Sequence, residues 1–535
     1  MKFLKFTSLA LLALTGFAGL AQAQTISLRV NVSEGRTGAN FALTHAEEGN
    51  YALTPGLPAH AGGPHWRVVT RNAAGEVLHE VLIKNAQQRH VEVFDPKTGA
   101  IAQSTTVMRP DAVFEVTLPF GADSASVEVL PPASARTAMK AGAGPLAKFD
   151  REALKKKAKA GKALAPQAMA AAAAVASATT VVNSGPSASR MDYVFVGDGY
   201  TAAEMSKWRA DAQKVINGFM ADPLFAANRA NMNVHRVDIA SNQSGVDEID
   251  RGIYRDTAMD GEFYCYNIAR LLCVNESKVY SIVGSVLAPD RRDVIIVISN
   301  STRYGGSGGN VATLSMNAQS TEVALHEIGH TAFALADEYE YGSCYLGAEP
   351  SEANVSLNRT RSVKWGSQIA SGTPVPTGAG TVSNGTVGVF QGGQYCSSGK
   401  YRPTENSRMR TLGYPWHAVN ERLVGTVFAR YAGAGTTHTG TLASGAIANV
   451  PSASPGYVLA GNGSYSIQLS GPSSADFDLS LYKYLSTGWS KVAVSQGSTS
   501  TESINYSGTA GYYYIQVKAY SGSGSYTVKY KFPAQ

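Results

Sequence analysis

His326 and His330 stand four residues apart with Glu327 beside the first, in Ser320-Thr-Glu-Val-Ala-Leu-His-Glu-Ile-Gly-His-Thr331. On a helix, side chains at i and i+4 leave one face within one turn. Two imidazoles so placed can bind one zinc ion, and the carboxylate beside them can serve as a base. The chemistry predicted is hydrolysis by metal-activated water. With ten histidines in 535 residues, the triplet arises by chance in on the order of one such sequence in a hundred. Leu325, Ile328, Ala332 and Leu335 form an apolar stripe opposite the histidines, so the helix is expected to put its core on one side and a cleft on the other. Two surface histidines satisfied by water would leave both Glu327 and the opposed stripe as coincidences.

A catalytic zinc takes three protein ligands and keeps a fourth position for water. Asp337 follows His330 by seven residues, at nearly the same helical angle. In a straight helix it would lie about 10 Å further along the axis. The helix is therefore expected to end between Thr331 and Ala336 and the chain to fold back, although no glycine marks the turn. Glu349 and Glu338 compete for the same role. Gly342, Ser343, Cys344, Gly347 and Pro350 make a second helix around Glu349 a poor expectation. Asp337 ranks first, then Glu349, then Glu338.

The elements that must position these residues are read from composition and period. Residues 1–23, with Lys2 and Lys5, an apolar run and Ala21-Gln-Ala23, read as a secretory signal peptide cleaved after Ala23. Residues 24–132 alternate apolar and polar side chains between turns, the mark of an antiparallel β-domain. Residues 133–189 are rich in Ala, Lys, Ser and Gly and read as a solvated, partly helical linker, with Lys155-Lys-Lys157 as a candidate processing point. Residues 190–435 turn to α/β. Tyr193–Val196, Val234–Ile239 and Asp293–Ile298 are expected strands, and Thr201 with Glu204 is a capping box opening a helix to about Met220. Tyr304-Gly-Gly-Ser-Gly-Gly309 lacks the Lys-Ser/Thr of a phosphate loop and fits a close backbone approach better. Residues 436–535 are Ser-, Gly- and Tyr-rich with short alternating runs, as in a small β-sandwich.

The net charge is +6, which alone would suggest an acidic partner. Residues 136–162 hold nine basic and two acidic side chains, and two further lysines sit in the signal, so the remainder is slightly negative. No nucleic-acid partner follows, and no later run is apolar enough to span a membrane. Export predicts paired cysteines. Of three connectivities, Cys265–Cys273 with Cys344–Cys396 is favoured as nearest-neighbour pairing, and a four-cysteine zinc site lacks the close pairs it needs.

The stretch from Tyr193 to Tyr341 resembles the catalytic domain of the IgA-peptidase family of bacterial zinc metallopeptidases. The matching pieces are Gly197-Asp-Gly-Tyr-Thr-Ala-Ala-Glu204, Ser244-Gly-Val-Asp247, Asn300 to Gly306, and His326-Glu-Ile-Gly-His330 with Asp337-Glu-Tyr339. Residues 436–535 resemble a bacterial pre-peptidase C-terminal domain through Ala475-Asp-Phe-Asp-Leu-Ser-Leu-Tyr482 and Gly522-Ser-Gly-Ser-Tyr526. The resemblance implies a multidomain chain: an N-terminal β-sandwich, a central α/β metzincin-like zinc peptidase and a C-terminal β-sandwich. It implies zinc on His326, His330 and Asp337, with Glu327 as base, and a methionine turn at Met409 in Asn406-Ser-Arg-Met-Arg410. Ala334 stands where the family pattern has glycine.

The expected function is a secreted or periplasmic zinc endopeptidase acting on protein or peptide substrates. A secreted binding protein with an inert peptidase-like domain is the rival, and a zymogen trimmed in its N-terminal domain or linker is a variant of the first. Val311–Met316 is a candidate edge for substrate pairing. His417, Tyr414 and Tyr339 are candidates to assist the oxyanion. Asp247, Glu248 and Asp250 pose a choice between a structural calcium and a solvated acidic turn, which the absence of a loop signature favours.

Overall fold

Alternation along Thr25–Gly35 puts Ile26, Leu28, Val30 and Val32 on one face, each at most 1% exposed. That strand pairs antiparallel with Gly38–Gly49 and Asp111–Pro119. A second antiparallel sheet runs Val77–Lys84, His65–Arg71, Ser126–Leu130, Ala147–Asp150. The inner faces of both sheets share one core that includes Trp66, Val68, Phe114 and Val127. The computed structural model describes residues 25–535 apart from 36–37, 50, 52, 55–64, 132–143, 169–175, 186, 188–189, 343, 345, 433–435, 453–455, 461–462, 486–487, 510 and 533–535. The expected signal peptide lies outside the described residues.

The expected linker is partly helical, but it packs on the sandwich instead of standing free in solvent. Its residues Ala147–Asp150 form the edge strand just named, and Arg151–Ala168 is a helix. Leu154 and Ala158, one turn apart, are 0% and 4% exposed against the sandwich core, while Lys156 and Lys159 face outward. One short apolar stripe suffices when a sheet already offers the surface to cover, which is why composition alone misleads here. The tri-lysine run is thus helical. Ser177–Val182 also belongs to a sheet, the central one, so that domain begins before residue 190.

The central sheet has six strands in the order Ser177–Val182, Met232–Asp238, Met191–Asp198, Val294–Ser299, Val311–Ser315, Gly306–Ser307. The four inner strands are parallel and the two edges antiparallel. Val294–Ser299 is buried along its whole length, as a run of Val and Ile covered on both faces requires. On one face lie the Met205–Ala221 helix, entered through the Thr201–Glu204 capping box, and the Ser320–Thr331 and His417–Ala432 helices. On the other lies Glu276–Gly284, with Val279 and Val283 in a core shared by Val113 of the N-terminal domain. Val311–Ser315 is an inner strand, not the expected edge, because the glycine-rich loop folds back as the two-residue strand Gly306–Ser307.

The N-terminal domain docks tightly on this face. Arg29 Nη2 donates to the Tyr280 carbonyl at 2.7 Å, Arg109 pairs with Glu276 at 2.6 Å, and Arg292 pairs with Glu115 at 2.9 Å. A separate hairpin, Gln88–Phe94 with Ile101–Met108, packs at the Gly306–Ser307 edge of the central sheet, where Arg89 meets Ser307 and Phe94 meets Val323. Residues 436–532 form two antiparallel sheets around Tyr465, Ile467, Phe477, Leu479 and Ile515. No helix among the described residues is long and apolar enough to cross a membrane. The cysteines pair as Cys265–Cys273 and Cys344–Cys396.

Candidate active site

The Ser320–Thr331 helix buries Val323, Ala324, Leu325 and Ile328 and carries His326 and His330 on its other side. Leu325, Ile328 and Leu335 enter the central core as the stripe predicts. Nδ1 of His326 donates to the Arg408 carbonyl at 2.8 Å and Nδ1 of His330 to the Leu335 carbonyl at 2.7 Å. A carbonyl can only accept, so each neutral ring keeps its proton on Nδ1 and turns an Nε2 lone pair inward. The two Nε2 atoms are 3.1 Å apart.

The helix stops at Ala332 and the chain folds back, as the spacing of Asp337 requires. Ala334 sits at φ +52°, and the Leu335 N–H returns to the Gly329 carbonyl at 2.9 Å. The left-handed turn is thus made without glycine. It brings Asp337 Oδ1 to 3.3 Å from His326 Nε2 and 3.2 Å from His330 Nε2. Tyr395 donates to Asp337 Oδ2 at 2.8 Å.

The competing carboxylates go elsewhere. Glu338 is buried among Asn354, Ser407 and Asn420, all within 3.0 Å, and pins the Asp337 segment to the downstream chain. Burial raises its pKa. Glu349 accepts from the Leu357 N–H and pairs with Lys364 at 3.1 Å. Glu248 and Asp250 share Arg303, and Asp247 accepts from the Arg255 N–H, so this acidic turn is spent on protein partners. Among the described residues, the one group of metal-ligating side chains is His326, His330, Asp337 and a residue the motifs did not indicate, Glu92, with ligand atoms all within 4.8 Å of one another.

Glu327 is 4% exposed. Burial, then the Glu92 carboxylate, pushes its pKa up to about 7. A Cβ at Gly308 would overlap Glu327 Oε2, so the glycine-rich loop makes room for this carboxylate, and Gly305 likewise lets the Arg270 backbone approach. Met409 is wholly buried, with Sδ 2.5 Å from where a Cβ at Gly329 would stand, and its carbonyl accepts from the Glu338 N–H at 2.7 Å. The methionine therefore packs directly beneath the His-Glu-x-x-His turn. His417 faces Gly385, Tyr414 is exposed, and Tyr339 donates to Glu92. Although burial opposes an imidazolium, the Glu92 and Asp337 carboxylates raise His326 to about 10, which marks the cluster as a place that attracts positive charge.

Residues 179–381 match the family model described as IgA Peptidase M64. The central domain thus matches a peptidase family, over a stretch that runs from the Ser177–Val182 edge strand past the histidine helix and Asp337. Among solved structures, the chain is similar to a Yersinia pseudotuberculosis-derived mitogen, at 16% identity over 19% of this chain and 89% of that one, TM-score 0.16. It is also similar to the pre-peptidase C-terminal domain of a collagenase from Bacillus anthracis, at 20% identity over 18% of this chain and 89% of that one, TM-score 0.15. At these TM-scores neither likeness carries an argument about this chain.

Proposed function

We propose that the protein is a secreted zinc-dependent endopeptidase in which His326, His330 and Asp337 hold the metal and Glu327 is the general base. The observation that carries this reading is the spacing of the donor atoms. His326 Nε2, His330 Nε2 and Asp337 Oδ1 form a triangle with sides of 3.1, 3.3 and 3.2 Å. A tetrahedron with metal–ligand arms of about 2.0 to 2.1 Å has edges of about 3.3 Å. Two imidazoles and a carboxylate suit zinc, whereas calcium and magnesium take oxygen sets. The match to a peptidase family supports the reaction, and two disulfides suit an oxidising compartment.

A zinc ion held there would polarise the scissile carbonyl and acidify water. Glu327 takes the proton from the attacking water and passes it to the leaving amine, so no covalent intermediate with the protein forms. The Arg408 and Leu335 carbonyls fix the imidazoles, and Tyr395 fixes Asp337, so the donors are set before the metal arrives. Met409 and Gly329 form the floor that keeps the helix at this height.

The test compares casein hydrolysis by the zinc-loaded chain with and without Glu327→Ala. Loss of a general base is expected to lower the rate by about a hundredfold or more with metal content unchanged. Hydrolysis that survives the substitution overturns the reading.

A further inference from the structure

The fourth member of the cluster comes from outside the central domain. Glu92 lies in the middle of the Gln88–Phe94 strand, 234 residues before His326. Its Oε2 is 2.9 Å from His326 Nε2 and 3.6 Å from His330 Nε2. Its Oε1 accepts from the Tyr339 hydroxyl. With the triangle above, these make five of the six edges of a four-donor set, and the sixth, between Glu92 and Asp337, is within 4.8 Å.

Strand alternation explains how the carboxylate gets there. Val91 packs with Cys265, Ile268, Leu271 and Cys273. Glu92 and Phe94 mark the other face, where the Phe94 ring meets the His326 ring edge-on at 4.8 Å. The strand is wedged between the disulfide loop and the histidine helix. Arg89 Nη2 reaches Ser307 Oγ at 2.5 Å, Arg270 Nη1 reaches the Phe94 carbonyl at 2.8 Å, and the Leu412 N–H reaches the Gly99 carbonyl at 2.9 Å. The hairpin is therefore fastened to the glycine-rich strand, to the disulfide loop and to the chain just after Met409. Glu92 is 7% exposed, and a carboxylate buried to that degree is costly unless paired. It is paired across the domain boundary, with the two histidines and Tyr339.

Four protein donors close a zinc site, whereas a peptidase must leave one position for water. We propose that Glu92 is the fourth ligand of the metal, supplied by the N-terminal domain, and that it holds the chain latent until the Gln88–Met108 hairpin withdraws. This rests on the metal-site reading above. Withdrawal breaks the Phe94–His326 ring contact and the Gln319 Nε2 bond to the Pro96 carbonyl, while the Arg408 and Leu335 carbonyls and Tyr395 still hold the three remaining donors. Latency is then a property of one carboxylate on one strand.

The test uses the full chain loaded with cobalt(II), titrated with acetohydroxamate, which needs a vacant coordination position, and followed by visible absorption. Wild type is expected to bind the hydroxamate at least about tenfold more weakly than Glu92→Ala, the penalty for an open state populated one part in ten or less. Glu92→Ala is also expected to hydrolyse casein at least about tenfold faster. Glu92→Gln, equal in length and volume, repeats the titration with the packing of the hairpin kept. Stoichiometric cobalt with the same spectrum and the same hydroxamate affinity in wild type and both variants overturns the inference and leaves the metal-site reading standing. A chain that binds no cobalt in any form overturns both.

Discussion

Nδ1 of His330 donates to the carbonyl of Leu335, five residues further on, at 2.7 Å. The turn that ends the helix thus does two things at once: it orients the second imidazole and returns the chain so that Asp337 meets it. The pivot is Ala334 at φ +52°, a conformation that disfavours a Cβ and is worst for β-branched side chains.

Substitution at that pivot separates backbone strain from ligand chemistry. Ala334→Gly is expected to bind metal as wild type does and to melt no lower. Ala334→Val is expected to cost roughly 1–2 kcal/mol and to weaken metal binding along with stability. Parallel melting curves and metal titrations check both, and a wild-type Ala334→Val would show that the turn is not under this constraint.

The glycine-rich loop gives a second prediction. A Cβ at Gly308 overlaps Glu327 Oε2, so Gly308→Ala is expected to displace the proposed base without touching a proposed metal ligand. Metal content should stay at the wild-type level while casein hydrolysis falls by about tenfold or more. Both quantities are read on the same preparation.

Tyr395 was not indicated by any motif, yet its hydroxyl donates to Asp337 Oδ2 at 2.8 Å. Tyr395→Phe removes that donor and keeps the ring. Metal affinity is expected to fall by about 10 to 100-fold, measured by competition with a chromogenic chelator, with the melting temperature of the metal-free chain little changed.

Much of this site was legible because its parts are local. His326, Glu327 and His330 fall within a turn and a half, and seven residues of helix arithmetic require the fold-back before Asp337. Glu338 and Glu349 were ranked below Asp337, and both are engaged elsewhere. Glu92 was not legible: in Val91-Glu-Val93 a charged residue between two valines reads as the solvent face of a strand, and only the docking of two domains turns that face inward. The docking of the Arg151–Ala168 helix was hidden for the opposite reason, since Leu154 and Ala158 are too small a stripe to stand out among alanines and lysines. Val311–Ser315 looked like an edge because the strand beside it has two residues, both within a run of glycines.

Domain docking is also expected to respond to acid. Glu115 accepts from Arg29 Nε at 2.9 Å and from Arg292 Nε at 2.9 Å. Burial alone would raise its carboxyl, but Arg292 and then Arg29 hold it below its ordinary value of 4.5. A depressed carboxylate pKa contributes stability that is fully present above 4.5 and is lost as pH falls through the lower folded value. Thermal unfolding of wild type is therefore expected to lose stability as pH falls from 4.5 through that lower folded value. Glu115→Gln is expected to show less of this dependence and to start about 3 kcal/mol lower, with both arginines left without their carboxylate.

The most direct test of the metal site is elemental analysis of the purified full chain after dialysis, for wild type, Asp337→Ala and Glu349→Ala. The account predicts about one zinc per chain in wild type and Glu349→Ala, and little or none in Asp337→Ala. A wild-type chain that retains no zinc at neutral pH, or a loss of zinc in Glu349→Ala but not in Asp337→Ala, would contradict it.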